Sequence, residues 1–239
     1  MWTPAEPHLP LRHERSAYAD TMRVSVAMKW CVDRGVPGVV AASGMAMSVL
    51  ILGPLLLRRT PTHPFLVWNL ALAWVPFIAA IGVDFFVRRR HYVATAVSAV
   101  IWIAFLPNAP YLVSDLTHYR SESVTPWLDL VRLVAFGWAG CLLVVASLRI
   151  VHLVVSQRAG TLLGWLVVAG ATIGSGAGVV LGRFARLNSW ELFTAPTAVA
   201  SQAVWLAGSG RAVAVGAFFA VLVAVLYMST TLAPRLRNA

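Results

Sequence analysis

Two short stretches of this chain hold residues whose types and spacing suit chemistry. In the first, Asn108, Tyr111, Asp115 and His118 recur at i, i+3, i+7 and i+10. On a helix that spacing places all four on one face. Asp115 and His118, three residues apart, can share a proton relay or a metal ion. Each member also has a plain reading. Asn108 suits an N-cap, Tyr111 an interfacial aromatic, and Asp115 and His118 solvated loop positions; Asp-x-x-His is a short, weakly specific match. The second stretch runs from Gly182 to Glu191. Arg183 and Arg186 sit one helical turn apart and can grip a phosphate or carboxylate in forked geometry. Their plain reading is snorkelling to lipid headgroups. Asn188 and Glu191 have capping-box spacing, with Glu191 as general base or ligand the second reading. Asn69 lies at the depth of Pro107 and can reach the first group.

The elements that position these residues follow from composition. The chain has 239 residues, 59% hydrophobic and 12% charged, with mean hydropathy +0.76. A soluble domain carries about a quarter charged residues, so lipid must cover much of this surface. A helix needs about 20 apolar residues to cross the hydrocarbon core. Six windows qualify: 36–57, 66–87, 92–113, 131–152, 161–181 and 212–232. The expected fold is all-α, a polytopic membrane bundle of six transmembrane helices. Pro107 and Pro110 break the third span at membrane depth. Residues 189–206 are only moderately apolar and read as an interfacial or re-entrant helix between spans five and six.

Local signals fill in the frame. Thr125, Pro126 and Asp129 read as N-cap, first-turn proline and dipole-complementing acid for the fourth span. Asp84 and Arg88, four apart, read as a local ion pair. Pro76 in the second span and the glycine-rich run Gly174–Gly178 in the fifth could both bend, but no residue pattern supports an inverted repeat. Cys31 and Cys141 show no metal spacing and no reason to pair.

Charge gives the orientation. The formal net charge is +10; here it punctuates apolar runs, so it signals topology and headgroup contact, not nucleic acid. With the N-terminus inside, twelve of the nineteen Lys and Arg residues are cytoplasmic and seven are not. That balance favours both termini inside, although Arg58 and Arg59 oppose it. Trp68, Trp127, Trp190 and Trp205 then mark outer boundaries. Residues 1–35 form a cytoplasmic tail without a signal peptide, loosely ordered through residue 22 and able to lie on the membrane surface over 23–34. Residues 36–232 form the membrane domain and 233–239 a cytoplasmic C-terminal tail. The distinctive polar residues then gather at one face, the extracytoplasmic one.

These residues also carry a resemblance. Trp68–Pro76, Phe105–Leu112, Asp115–His118, Trp127–Leu130 and Leu181–Glu191 resemble domain-of-unknown-function family 1361, over about residues 45–232. Leu128 departs from a usual aromatic and Glu191 from a common Asp; neither removes a charge. The resemblance implies a bacterial inner-membrane protein and supplies no reaction.

Three functions compete. One is an enzyme for a lipid-linked or phosphate-bearing substrate: Arg183 and Arg186 hold the anion, Asp115 and His118 act as acid and base or as ligands, and Asn108 orients the group. Another is a small transporter with discontinuous third and fifth spans. The last is an assembly or scaffolding protein whose motifs are caps and anchors. The lipid bilayer is the expected partner, and an anionic lipid or lipid-linked phosphate is a candidate ligand. Metal and cofactor stay open.

Overall fold

In a computed structural model of the chain, the described residues are 24–25, 28–57, 63–119, 121, 123 and 125–236. Most of the N-terminal tail, together with Arg58, Arg59, Arg120 and Arg237, lies outside them. Two compact units are distinguished, Met1–Pro37 and Gly38–Ala239. In the first, residues 28–33 are helical and the Arg34 guanidinium lies 4.2 Å over the Trp30 ring.

From the first span onward the helices are α1 (Val36–Leu57), α2 (Pro64–Arg88), α3 (Tyr92–Phe105), α4 (Asn108–Ser114), α5 (Pro126–Ala159), α6 (Thr161–Val180), α7 (Glu191–Thr194), α8 (Pro196–Ala207) and α9 (Gly210–Leu236). A 3-10 turn, Asp115–His118, follows α4, and a π turn, Leu181–Ala185, follows α6. Among the described residues, six helical segments are long and apolar enough to cross a membrane. The chain is a multi-pass helical membrane protein.

Prolines set several starts. Pro64, Pro126 and Pro196 each open a helix, where the missing N–H costs nothing and φ is already helical. The segment expected as one interfacial helix is therefore two, α7 and α8, parted at Ala195 before Pro196. Helix α9 runs on to Leu236, past the expected end of the last span.

The third span is divided as its prolines require. Helix α3 has 14 residues, about 21 Å at 1.5 Å each, too short for a core about 30 Å thick. The seven residues of α4 add about 10 Å and complete the crossing. At the break the usual donor to the Phe105 carbonyl, the Ala109 N–H, bonds to the Leu106 carbonyl instead at 3.2 Å. The Asn108 amide replaces it, Nδ2 donating to Phe105 O at 2.9 Å. Asn108 is thus not the N-cap; Pro107 holds that position.

Packing relies on an apolar stripe and small residues. On α2, Leu66, Leu70, Ala73, Phe77, Ala80 and Asp84 are buried at alternating spacings of three and four, and α2 packs on α3, α4 and α5. Asp84 closes the stripe and accepts from Arg88 Nε at 2.9 Å, as the spacing predicted. Lipid gives helices no hydrophobic reason to associate, so close contact must do it. Gly178 of α6 lies against the Pro107 ring so closely that a Cβ would overlap it. The glycine-rich run stays helical; Gly176 and Gly178 serve close contact, and the irregular backbone comes later, at Leu181–Ala185.

Asp129 does more than complement the dipole of α5. It is buried, accepts from the Ser123 hydroxyl, and lies 3.1 Å from Nη1 of Arg132, whose side chain is wholly buried. Thr125 takes the N-cap position without a side-chain bond.

Candidate functional site

At one end of the bundle, the start of α2, the helix break, the 3-10 turn, the end of α6 and the following loop surround a cavity of about 730 Å³. Eight of the nine residues singled out from sequence line it: Asn69, Asn108, Tyr111, Asp115, His118, Arg183, Arg186 and Asn188. Glu191 is not among the lining residues. Its carboxylate turns back to accept from the Asn188 backbone N–H and, at 3.3 Å, from the Asn188 amide. The contact expected of a capping box is present, but Asn188 is not the cap: Trp190 holds the N-cap position of α7.

Three side-chain bridges tie the rim together. Asn69 Nδ2 on α2 donates to Asp115 Oδ2 at 2.8 Å. Asn108 Nδ2 donates to Ser189 Oγ at 2.7 Å, joining the helix break to the loop after the π turn. Arg183 Nη2 donates to Thr117 Oγ1, and Thr117 donates onward to the Ser114 carbonyl at 2.9 Å. Each bridge spans separate elements, so each holds the cavity open at a set width.

Asp115 is the buried charge of the site, 1% exposed. Oδ2 is bonded to Asn69, while Oδ1 has no hydrogen-bond partner among the described residues. Its nearest cation-forming neighbour is His118 Nδ1, 3.7 Å away. The same Nδ1 lies 3.2 Å from the Asp115 carbonyl, and the ring packs on Phe65 with centroids 5.0 Å apart. His118 is therefore oriented by its own turn and by an aromatic wall, and it lines the cavity. A buried polar atom normally has a partner, so the bare Oδ1 marks a place for one.

The two arginines are held differently from expected. They are not successive positions of one regular helix, because α6 ends in the π turn. Arg186 then adopts left-handed φ 56°, ψ 30°. Its N–H and that of Leu187 both return to the Leu181 carbonyl, the closure that usually recruits glycine. A non-glycine residue there costs about 1 kcal/mol or more, and such strain gathers at functional sites. Neither arginine makes an ion pair among the described residues. The cavity thus presents two guanidinium groups against one carboxylate.

No group of three or more His, Cys, Asp or Glu side chains that could hold a metal ion occurs among the described residues. Sequence reasoning missed Thr117, Ser189 and Phe65. Thr117 lies inside Asp-Leu-Thr-His and Ser189 directly follows Asn188, but small hydroxyls give no signal until their partners are known.

The family model described as a protein of unknown function, DUF1361, matches residues 68–226. The chain belongs to that family. The match is narrower than the expected 45–232 and leaves out α1. All of the cavity's lining except Phe65 falls within the family segment, so the site belongs to the family's own region of the chain. No curated protein and no solved structure matches the chain.

Proposed function

We propose that the cavity binds the anionic head of a lipid or lipid-linked molecule. The observation that carries the reading is the pair of arginines without ion-pair partners, Arg183 and Arg186, on the same wall system as Asp115 and His118. Charged groups at membrane depth are costly unless they line a cavity or meet a partner. Two guanidinium forks suit the non-bridging oxygens of a phosphate. The His118 ring lines the same cavity, and the pair His118–Asp115 is placed for acid–base work on the head. The scaffold reading explains the local contact of Glu191 with Asn188 but gives no reason for eight of the polar residues to share one cavity. The arginine balance supports an orientation with this end of the bundle extracytoplasmic and both termini inside, and the family resemblance supports a bacterial inner membrane. A reporter fused after Ala239 that is active only outside would overturn that orientation.

The binding test uses the full chain in phosphatidylcholine nanodiscs, titrated with monododecyl phosphate or with dodecanol. Saturable binding of the phosphate alone is expected. Each charge-assisted contact is worth about 1.5–3 kcal/mol, so Arg183→Gln and Arg186→Gln should each weaken binding by about tenfold to about a hundredfold. Equal retention of both probes, or undiminished binding by the folded double variant, refutes the reading.

A further inference from the structure

Beside the polar cavity lies a second pocket of about 480 Å³. Its lining is apolar throughout, drawn from α6, α8 and α9. The floor is the buried cluster Val180, Leu206 and Ala212, and the outer lip includes Ile173, Val213 and Val221, all well exposed. Two residues, Ala177 and Leu181, line both cavities. Ala177 is exposed and small, so the divide between the cavities is a low saddle. Helix α8 likewise runs from one to the other: Val199 faces the polar cavity, and Ala203, one turn on, faces the apolar pocket.

Resting on the head-group reading above, we infer that the apolar pocket receives the hydrocarbon chain of the same ligand. The ligand is then an amphiphile whose phosphate-like head meets Arg183 and Arg186 and whose chain crosses Ala177 to lie on Val180, Leu206 and Ala212. Three observations favour this occupant over unselected bilayer lipid. The pocket has a buried floor; it adjoins, across Ala177 and Leu181, the cavity that presents two guanidinium groups against one carboxylate; and at Ala177 that divide is only an exposed methyl. A bilayer lipid without a charged head would gain nothing from the adjoining guanidinium groups. A free anion would leave the pocket unused.

The test is photolabelling of the full chain in phosphatidylcholine nanodiscs with dodecyl phosphate bearing a diazirine on its terminal carbon. Label is expected on the segment Ala203–Ala217, displaced by unlabelled dodecyl phosphate and not by dodecanol. Inorganic phosphate should displace it only weakly, because it holds the head site without the chain contacts. Ala177→Trp raises the saddle, and Ala203→Trp fills the pocket from the other side. Displacing two methylenes is worth about tenfold in occupancy, so each variant should lower label on Ala203–Ala217 by about that factor. Competable label that maps elsewhere overturns the chain pocket and leaves the head site standing. Label on Ala203–Ala217 that is equally strong in the Arg183→Gln, Arg186→Gln double variant shows ordinary bilayer lipid there and overturns the inference. Absence of any competable label overturns the head-group reading, and this one with it.

Discussion

The bond between Asn69 and Asp115 offers a sharp test of how the cavity is held. Asp115 is 1% exposed, and its Oδ2 accepts from Asn69 Nδ2 at 2.8 Å. Replacing Asn69 with Leu keeps the branched heavy-atom shape but leaves both carboxylate oxygens without a donor. A hydrogen bond to a charged group contributes about 1.5–3 kcal/mol. For a chain of this size each kcal/mol moves the melting temperature by about 2–4 °C, so Asn69→Leu should lower it by about 3–12 °C. Asp115→Asn should cost less, because the amide has no charge to desolvate and Asn69 faces a cavity that admits water. The decisive measurement is the double-mutant cycle, read by thermal unfolding in one detergent. In the Asp115→Asn background, Asn69→Leu should lose most of its effect, giving a coupling of about 1.5–3 kcal/mol. A coupling under about 0.5 kcal/mol, the scatter of independent sites, would refute the claim that Asn69 supports the buried acid.

Other expectations follow from the same geometry. Gly178→Ala places a methyl into the Pro107 ring and should destabilise by about 1–3 kcal/mol. Gly174→Ala, four residues earlier with open space around its Cβ position, should be neutral or gain up to about 1 kcal/mol; equal losses at both glycines would contradict the packing at the helix break. Arg186→Gly relieves the left-handed backbone and should raise the melting temperature by about 2–4 °C while weakening dodecyl phosphate binding. A variant that binds as tightly as the parent would remove Arg186 from the site. Gly53→Ala drives a methyl into Leu128 and the buried Arg132 guanidinium and should cost about 1–3 kcal/mol, measurable in the same unfolding assay.

Much of this architecture is legible in the residue order, and the reasons are local. Apolar run length decides whether a helix can span a bilayer, so six spans follow from composition alone. Proline chemistry is equally local: the missing N–H groups of Pro107 and Pro110 divide the third span whatever surrounds them. Asp84 with Arg88 and Asn188 with Glu191 are one-turn pairs, and the structure shows both contacts. The helix period also placed Asn108, Tyr111, Asp115 and His118 together, and they do line one wall even though the last turn tightens to 3-10.

Tertiary structure decided the rest, because those choices depend on partners distant in sequence. Asn108 left the cap for the Phe105 carbonyl and Ser189, 81 positions away. Asp129 could be read as a dipole complement until Arg132 was seen to be buried beside it; spacing cannot report burial. Helical spacing put Arg183 and Arg186 on one turn, whereas packing at the end of α6 widened that turn and forced Arg186 into a left-handed backbone. The convergence of α2, the broken third span and the end of α6 is long-range packing of small residues, of which Gly178 against Pro107 is the clearest contact. Residue order thus determined the membrane class and which side chains could act. Only the folded bundle decided that eight of them share one cavity, and that Glu191 does not, since that outcome depends on contacts between helices that no local periodicity encodes.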